Sequence, residues 1–165
     1  IGRDYFYMGY LDEKTFASTN EANLELALNL DLGSSEFVYV RGKLMIKINP
    51  IYFDLDKSYI RPDAELELER VVRIMQKYPE LKINLGSHTD SRARDAYNWS
   101  LSTRRARSSK NWIVRQGIDP SRIKAEGFGE TELVNKCSNG VNCSEDDHQL
   151  NRRTEFVIVN PEVIK

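Results

Sequence analysis

No stretch of this chain approaches the ~20 consecutive apolar residues that a membrane-spanning helix needs, so nothing in its 165 residues reads as one. Excess charge of either sign is missing as well: 24 basic residues stand against 25 acidic ones, for a formal net charge of −1. That balance argues against a nucleic-acid binder, whose affinity rests on surplus positive charge facing phosphates. No internal repeat or low-complexity run appears. There is neither an initiating methionine nor a signal peptide, and the chain opens on Ile1-Gly2-Arg3, so it is expected to be part of something longer. The length suits one domain with an appendage and is enough to bury a core.

Cysteine and histidine are scarce, at two each. Cys137 and Cys143 bracket Ser-Asn-Gly-Val-Asn, a turn-forming run that lets the chain double back and bring the two sulfurs together. A disulfide there would imply an oxidising compartment such as the periplasm. Reduced thiols or half of a metal site are the alternatives; zinc would need two further ligands, and His148 is the only histidine nearby.

What is present reads as alternating strands and helices. Residues 1–42 are the least legible: Tyr5 to Tyr10 and the alternation of Leu24, Leu26, Leu28, Leu30 and Leu32 suggest the β-rich tail of an upstream module, followed by a linker. From Lys43, Leu44, Ile46 and Ile48 alternate, Asn49-Pro50 interrupts, and Ile51-Tyr52-Phe53 resumes the strand. Pro62 suits a first helical turn, and Ala64, Leu68, Val71, Val72 and Met75 follow at steps of three and four, with acids early and Lys77 late. Leu81 to Leu85 predicts a strand, Asn98 to Gln116 a second helix, Arg122 to Glu126 a short strand, and Arg153 to Val159 a last one. The order β-α-β-α-β-loop-β predicts a two-layer α/β (α+β) sandwich with both main helices on one face.

The chemistry concentrates between Leu85 and Ala106. Asp90 lies just past a strand end, and Arg105 sits on the next helix, sharing a face with the inward-pointing Leu101 and Ser109. A buried, unpaired guanidinium is costly, so something anionic must meet Arg105. A carboxylate takes an ammonium and a guanidinium grips a carboxylate, so the pair would suit a zwitterionic amino-acid head group. An intramolecular salt bridge between strand and helix is the alternative on residue types alone. His88 beside Asp90, and the Asp54-x-Asp56 pair, lack the nucleophile or further ligands that catalysis or a metal would require, so neither a catalytic residue nor a metal or cofactor is expected.

His88-Thr89-Asp90, then Asn98, then Leu101-Ser102 and Arg104-Arg105-Ala106, resembles the signature of OmpA-like peptidoglycan-binding domains. Tyr52 to Ser58 upstream, Gly127-Phe128-Gly129-Glu130 downstream, and Asn151 to Glu155 near the end fall in the family's order, so the resemblance covers about Pro50 to Val159. It implies a βαβαββ fold with a mixed sheet in residues 43–165. It also implies binding of peptidoglycan without chemistry, through the diaminopimelate residue of the stem peptide. Carried over by position, Asp90 and Arg105 would hold that residue, Thr89 and Asn98 would shape the pocket, Asp56 would reach in from the first loop, and Arg152 would help hold a carboxylate. The implied setting is a periplasmic anchor belonging to an outer-membrane protein, with other envelope proteins as partners of the upstream domains. The Asn49-Pro50 opening and the cysteine loop resemble versions found in multidomain Bacteroidota envelope proteins, among them lipoproteins associated with type IX secretion. One departure stands in the loop, where Ala93 replaces a glycine usual in the family and is flanked by Arg92 and Arg94. A protein-docking domain of the same fold and, more remotely, a murein hydrolase are the competing readings.

Overall fold

A computed structural model describes residues 36–54 and 56–164. The chain divides into two compact units, with the change between Lys47 and Ile48. The described part of the first is a hairpin of β1 (Phe37–Val40) and β2 (Lys43–Ile46), with Phe37 opposite Ile46 and Val40 opposite Lys43. Its two-residue turn puts Arg41 and Gly42 at φ 49° and 72°. Positive φ at both central residues is what a right-twisted hairpin demands. The domain boundary expected at 42/43 falls in this turn, and β1 was not anticipated. The tail alternations at Tyr5–Tyr10 and Leu24–Leu32 lie outside the described residues.

The second unit is built on a mixed sheet with β3 (Ile83–His88) in the middle, parallel to β4 (Ile123–Gly129) and antiparallel to β5 (Thr154–Ile158). Helix α1 (Pro62–Lys77) has Pro62 in its first turn, Asp63 and Glu65 near its amino end and Lys77 near its carboxyl end, as the helix dipole favours. It buries Ala64, Leu68, Val71, Val72 and Met75. Helix α2 (Asp95–Arg115) lies over β3 and β4 and meets α1, where the Trp112 indole N–H donates to Glu65 at 3.3 Å. Leu68, Met75, Leu81, Ile83, Leu85, Ile113, Ile123 and Phe156 are almost solvent-free and make the core.

Two polar devices fix the layers. Arg122, at the start of β4, donates to the carbonyls of Leu81, Met75 and Tyr78 at 3.0, 2.7 and 2.9 Å, satisfying acceptors that the end of α1 leaves open. Where β4 runs beneath α2, a Cβ on Gly127 would stand 2.2 Å from the Thr103 nitrogen, so only glycine fits. Ser102 closes this contact by accepting from the Gly129 N–H at 2.9 Å.

The α+β class agrees with the sequence pattern, and the mixed sheet with what the family resemblance implies. Ile51-Tyr52-Phe53, expected as strand, is irregular. Asn49 gives its backbone and side-chain N–H groups to the Glu67 carboxylate at 2.9 Å each, and Pro50 has no N–H to offer, so this segment follows α1. Residues read as a loop after the cysteines contain a short helix, α3 (Glu145–Asn151).

Candidate ligand-binding site

The loop leaving β3 turns sharply and is tied down from three sides. The Thr89 N–H donates to the Gly129 carbonyl at 2.8 Å, the Asn98 carboxamide donates to the Asp90 carbonyl at 3.0 Å and to Glu130 at 2.5 Å, and Ser91 Oγ donates to the Cys137 carbonyl at 2.6 Å. Thr89 and Asn98 are thus buried parts of the frame that presents Asp90. Cys137 and Cys143 are disulfide-bonded, and the closed loop supplies the anchor for Ser91.

Asp90 is buried and crowded by arginines. Its Oδ2 accepts from the Arg152 guanidinium at 2.6 Å and from the Arg92 guanidinium at 2.8 Å, while Oδ1 accepts from the Arg92 backbone at 3.1 Å. Burial alone would raise its pKa; the hydrogen bonds from Arg92 and Arg152 win and hold it at about 2. Both guanidiniums also reach Glu145, at 2.7 and 2.6 Å, so α3 completes a four-membered cluster of alternating charge.

Arg105 is in a different position. It is 8% exposed, donates to the Lys57 and Asp54 carbonyls at 3.0 and 3.3 Å, and stacks 4.9 Å over the Phe53 ring. No carboxylate among the described residues comes within ion-pair distance of it, so the intramolecular salt bridge to Asp90 is not formed. Burial first, and the nearby positive Arg152 among its charged neighbours, push its pKa down, whereas Tyr97 and Asp56 pull the other way. A guanidinium kept this dry on neutral carbonyls retains most of its appetite for an anion.

Arg105 and Arg152 line one narrow pocket of about 50 Å³ with Tyr52, Phe53, Gln149 and Thr154. Asp90 adjoins it through Arg152. Asp56 does not enter it: this exposed residue takes a left-handed conformation, φ 56°, and accepts from the Tyr97 hydroxyl. Of the six predicted site residues, the structure brings Arg105, Arg152 and Asp90 into one neighbourhood, uses Thr89 and Asn98 to support it, and leaves Asp56 outside the pocket.

Arg92, Glu145 and Gln149 belong to the cluster and were not picked out by sequence. For α3 a signal existed: Ser144 caps the Asp147 N–H and Asp147 caps Ser144 in return, a capping box written as Ser-x-x-Asp. His88 does not hydrogen-bond within the turn. It stacks on Phe128, ring centroids 5.1 Å apart, with Nε2 3.7 Å from the Glu155 carboxylate, and burial lowers its pKa.

This small α+β domain thus sets two arginines in one narrow pocket, with an aspartate beside it held by one of them. The chain belongs to the OmpA family, whose sequence model matches residues 52–146. Among curated relatives it is 38% identical over 116 residues to outer membrane porin F of Pseudomonas fluorescens, covering 70% of this chain and 32% of that protein. It is 33% identical over 87 residues to the peptidoglycan-associated lipoprotein of Brucella melitensis, covering 53% of this chain and 52% of that one. A match at 39% identity over 119 residues to a protein of Gloeobacter violaceus named photosystem I P700 chlorophyll a apoprotein A2 covers 71% of this chain but only 14% of that protein. The chain spans about half or less of the length of these relatives. Among solved structures, a putative MotB-like protein of Desulfovibrio vulgaris superposes with a TM-score of 0.61 at 25% identity, over 88% of this chain and 91% of that one. The cell wall anchor of the Pseudomonas aeruginosa T6SS gives 0.55 at 25%, over 70% and 78%.

Proposed function

We propose that this domain binds peptidoglycan without chemistry, taking the diaminopimelate residue of the stem peptide and so anchoring an outer-membrane or periplasmic assembly to the cell wall. The observation that carries the reading is the buried Arg105, held by two carbonyls and a phenyl ring with no carboxylate partner among the described residues, facing a pocket it shares with Arg152. Two guanidiniums suit a ligand carboxylate. Asp90, at the edge of that pocket and ionised well below neutral pH, suits the ammonium on the same ligand carbon. The relatives named for peptidoglycan association and for cell wall anchoring support the same reading. Residues 43–165 would do the binding, in the periplasm, with residues 1–42 leading to the domains that engage other envelope proteins.

Diaminopimelate carries both an ammonium and a carboxylate at its far end, and lysine at the same place carries the ammonium alone. Lysine would leave Arg105 without its anion, at a cost of ~1–3 kcal/mol. Calorimetry with the two stem peptides is expected to favour diaminopimelate by tenfold or more, roughly 1.4 kcal/mol, and Arg105→Ala is expected to abolish that preference. Equal affinity for both peptides overturns the assignment. Co-sedimentation with purified wall separates the rivals: binding without released fragments marks an anchor, released fragments a hydrolase, and neither a docking domain.

A further inference from the structure

His88 is a buried polar side chain that the diaminopimelate reading does not use. It is 2% exposed, and neither of its ring nitrogens makes a hydrogen bond. Along the chain it has no companion ligand nearby, which is why no metal was expected from the sequence. The fold brings two such groups from a distance. Glu155 on β5 and Glu132 in the turn after β4 each place a carboxylate oxygen so that these two atoms and a ring nitrogen of His88 all lie within 4.8 Å of one another.

The spacing is that of ligands around an ion. His88 Nε2 stands 3.7 Å from Glu155 Oε2, beyond the ~2.7–3.2 Å of a hydrogen bond. Two ligands that each sit ~2.0–2.1 Å from one zinc ion stand ~3.3 Å apart at the tetrahedral angle and at most ~4.1 Å apart. Glu132 is within about 1 Å of the same condition. It is half-buried, so its side chain can make that adjustment and leaves a way in from solvent.

The supporting contacts are in place. Arg153 Nε donates to Glu155 Oε1 at 2.7 Å, while Oε2 is the oxygen that faces the imidazole. Hydrogen bonds of this kind to the far side of a ligating carboxylate fix its orientation. Phe128 stacks on the His88 ring, centroids 5.1 Å apart, and sets its plane. The Arg153 guanidinium opposes a second cation, but the two carboxylates outnumber it, so a divalent ion still meets net negative charge. One imidazole with two carboxylates suits Zn²⁺ better than Ca²⁺ or Mg²⁺, which take oxygen ligands.

We propose that His88, Glu132 and Glu155 form a zinc site whose fourth position is open to water. The ion ties together the end of β3, β5 and the turn after β4. Asp90 and Arg152 leave from this same edge, so zinc stiffens the frame of the arginine pocket, whatever that pocket binds.

The test adds Zn²⁺ alone to the metal-stripped chain. One ion per chain is expected to survive gel filtration, and the melting temperature is expected to rise by about 5 °C or more at a hundredfold excess of free Zn²⁺ over its Kd. Glu132→Gln keeps the shape of a half-buried side chain, so it is expected to fold, to bind zinc about tenfold or more weakly and to lose most of the rise. His88→Phe keeps a ring on Phe128 and is expected to abolish both; should it fail to fold, Glu132→Gln decides alone. His148→Asn removes the other histidine and is expected to change neither. Failure to retain zinc, or equal affinity in wild type and Glu132→Gln, overturns the site. Binding lost in a folded His148→Asn also overturns it, because the ion would then sit at the disulfide loop.

Discussion

Arg92 occupies the place that a ligand ammonium would need. Its guanidinium and that of Arg152 converge on the same oxygen, Asp90 Oδ2, at 2.8 and 2.6 Å, and both continue to Glu145. On the proposed reading, an incoming ammonium would not meet a bare carboxylate; it would exchange with a guanidinium. Arg92 is the one to yield, since its side chain is 49% exposed against 24% for Arg152, and an ion pair of that exposure is worth ~1 kcal/mol or less. Replacing Arg92 with alanine removes the competitor but keeps its backbone N–H on Asp90 Oδ1, at 3.1 Å in the wild type, so the loop retains its turn. The expected result is tighter binding of a diaminopimelate peptide by roughly fivefold, the equivalent of about 1 kcal/mol, together with a drop in melting temperature of a few degrees. Titration calorimetry at low and high salt reads this directly, and the gain is expected to shrink as salt screens the exposed pair in the wild type. Unchanged affinity would refute the competition, and weakening comparable to Arg105→Ala would make Arg92 a ligand contact instead.

Asp90 and Glu155 both hold pKa values of about 2. For each, burial raises the value and is outweighed: by Arg92 and Arg152 in one case, by His88 and Arg153 in the other. Because the folded values lie below the ordinary carboxylate range, their stabilisation is complete above about pH 5 and is lost as pH falls from ~5 towards ~2, by roughly 2 kcal/mol for Asp90 and roughly 3 kcal/mol for Glu155. Denaturant midpoints measured across that window should fall, and Glu155→Gln should flatten the fall. Reduction of Cys137–Cys143 should cost about 2 kcal/mol on chain-entropy grounds, and thiol titration of the unfolded, unreduced protein should find no free sulfhydryl. Gly127→Ala drives a methyl into the backbone of α2, and a destabilisation of ~3 kcal/mol or outright failure to fold is expected from urea melts.

Periodicity made the helices readable, because α1 buries one stripe and carries its charges where the dipole wants them. β3 and β5 were readable for a related reason: their buried residues alternate or are β-branched. The boundaries slipped where backbone partners decide. β3 runs on to His88 because that N–H finds the Arg153 carbonyl at 2.9 Å, and Ile51–Phe53 lost its strand to the Asn49–Glu67 contact. Helix α3 was hidden by its seven residues and wholly polar first turn, although its cap was written in the sequence. For the site, the motif resemblance singled out Asp90, Arg105 and Arg152, which the fold brings into one neighbourhood. It could not reveal that Asp90 is already shared by two arginines, since the second comes from two positions along the same loop and the bridging Glu145 from the unforeseen helix.

The ends of β3 and β5 give the domain a mechanical property. Asp90 follows β3 by two residues and Arg152 precedes β5 by two, and the strands are antiparallel across five residue pairs from Ile83–Ile158 to Ser87–Thr154. A ligand gripped there hands its load to two neighbouring strands at the same edge. Pulled lengthwise, such a ladder strains all its rungs together, whereas pulled sideways it would open one rung at a time. If the domain is the wall tether proposed above, the direction of pull would set the force at which the grip gives way.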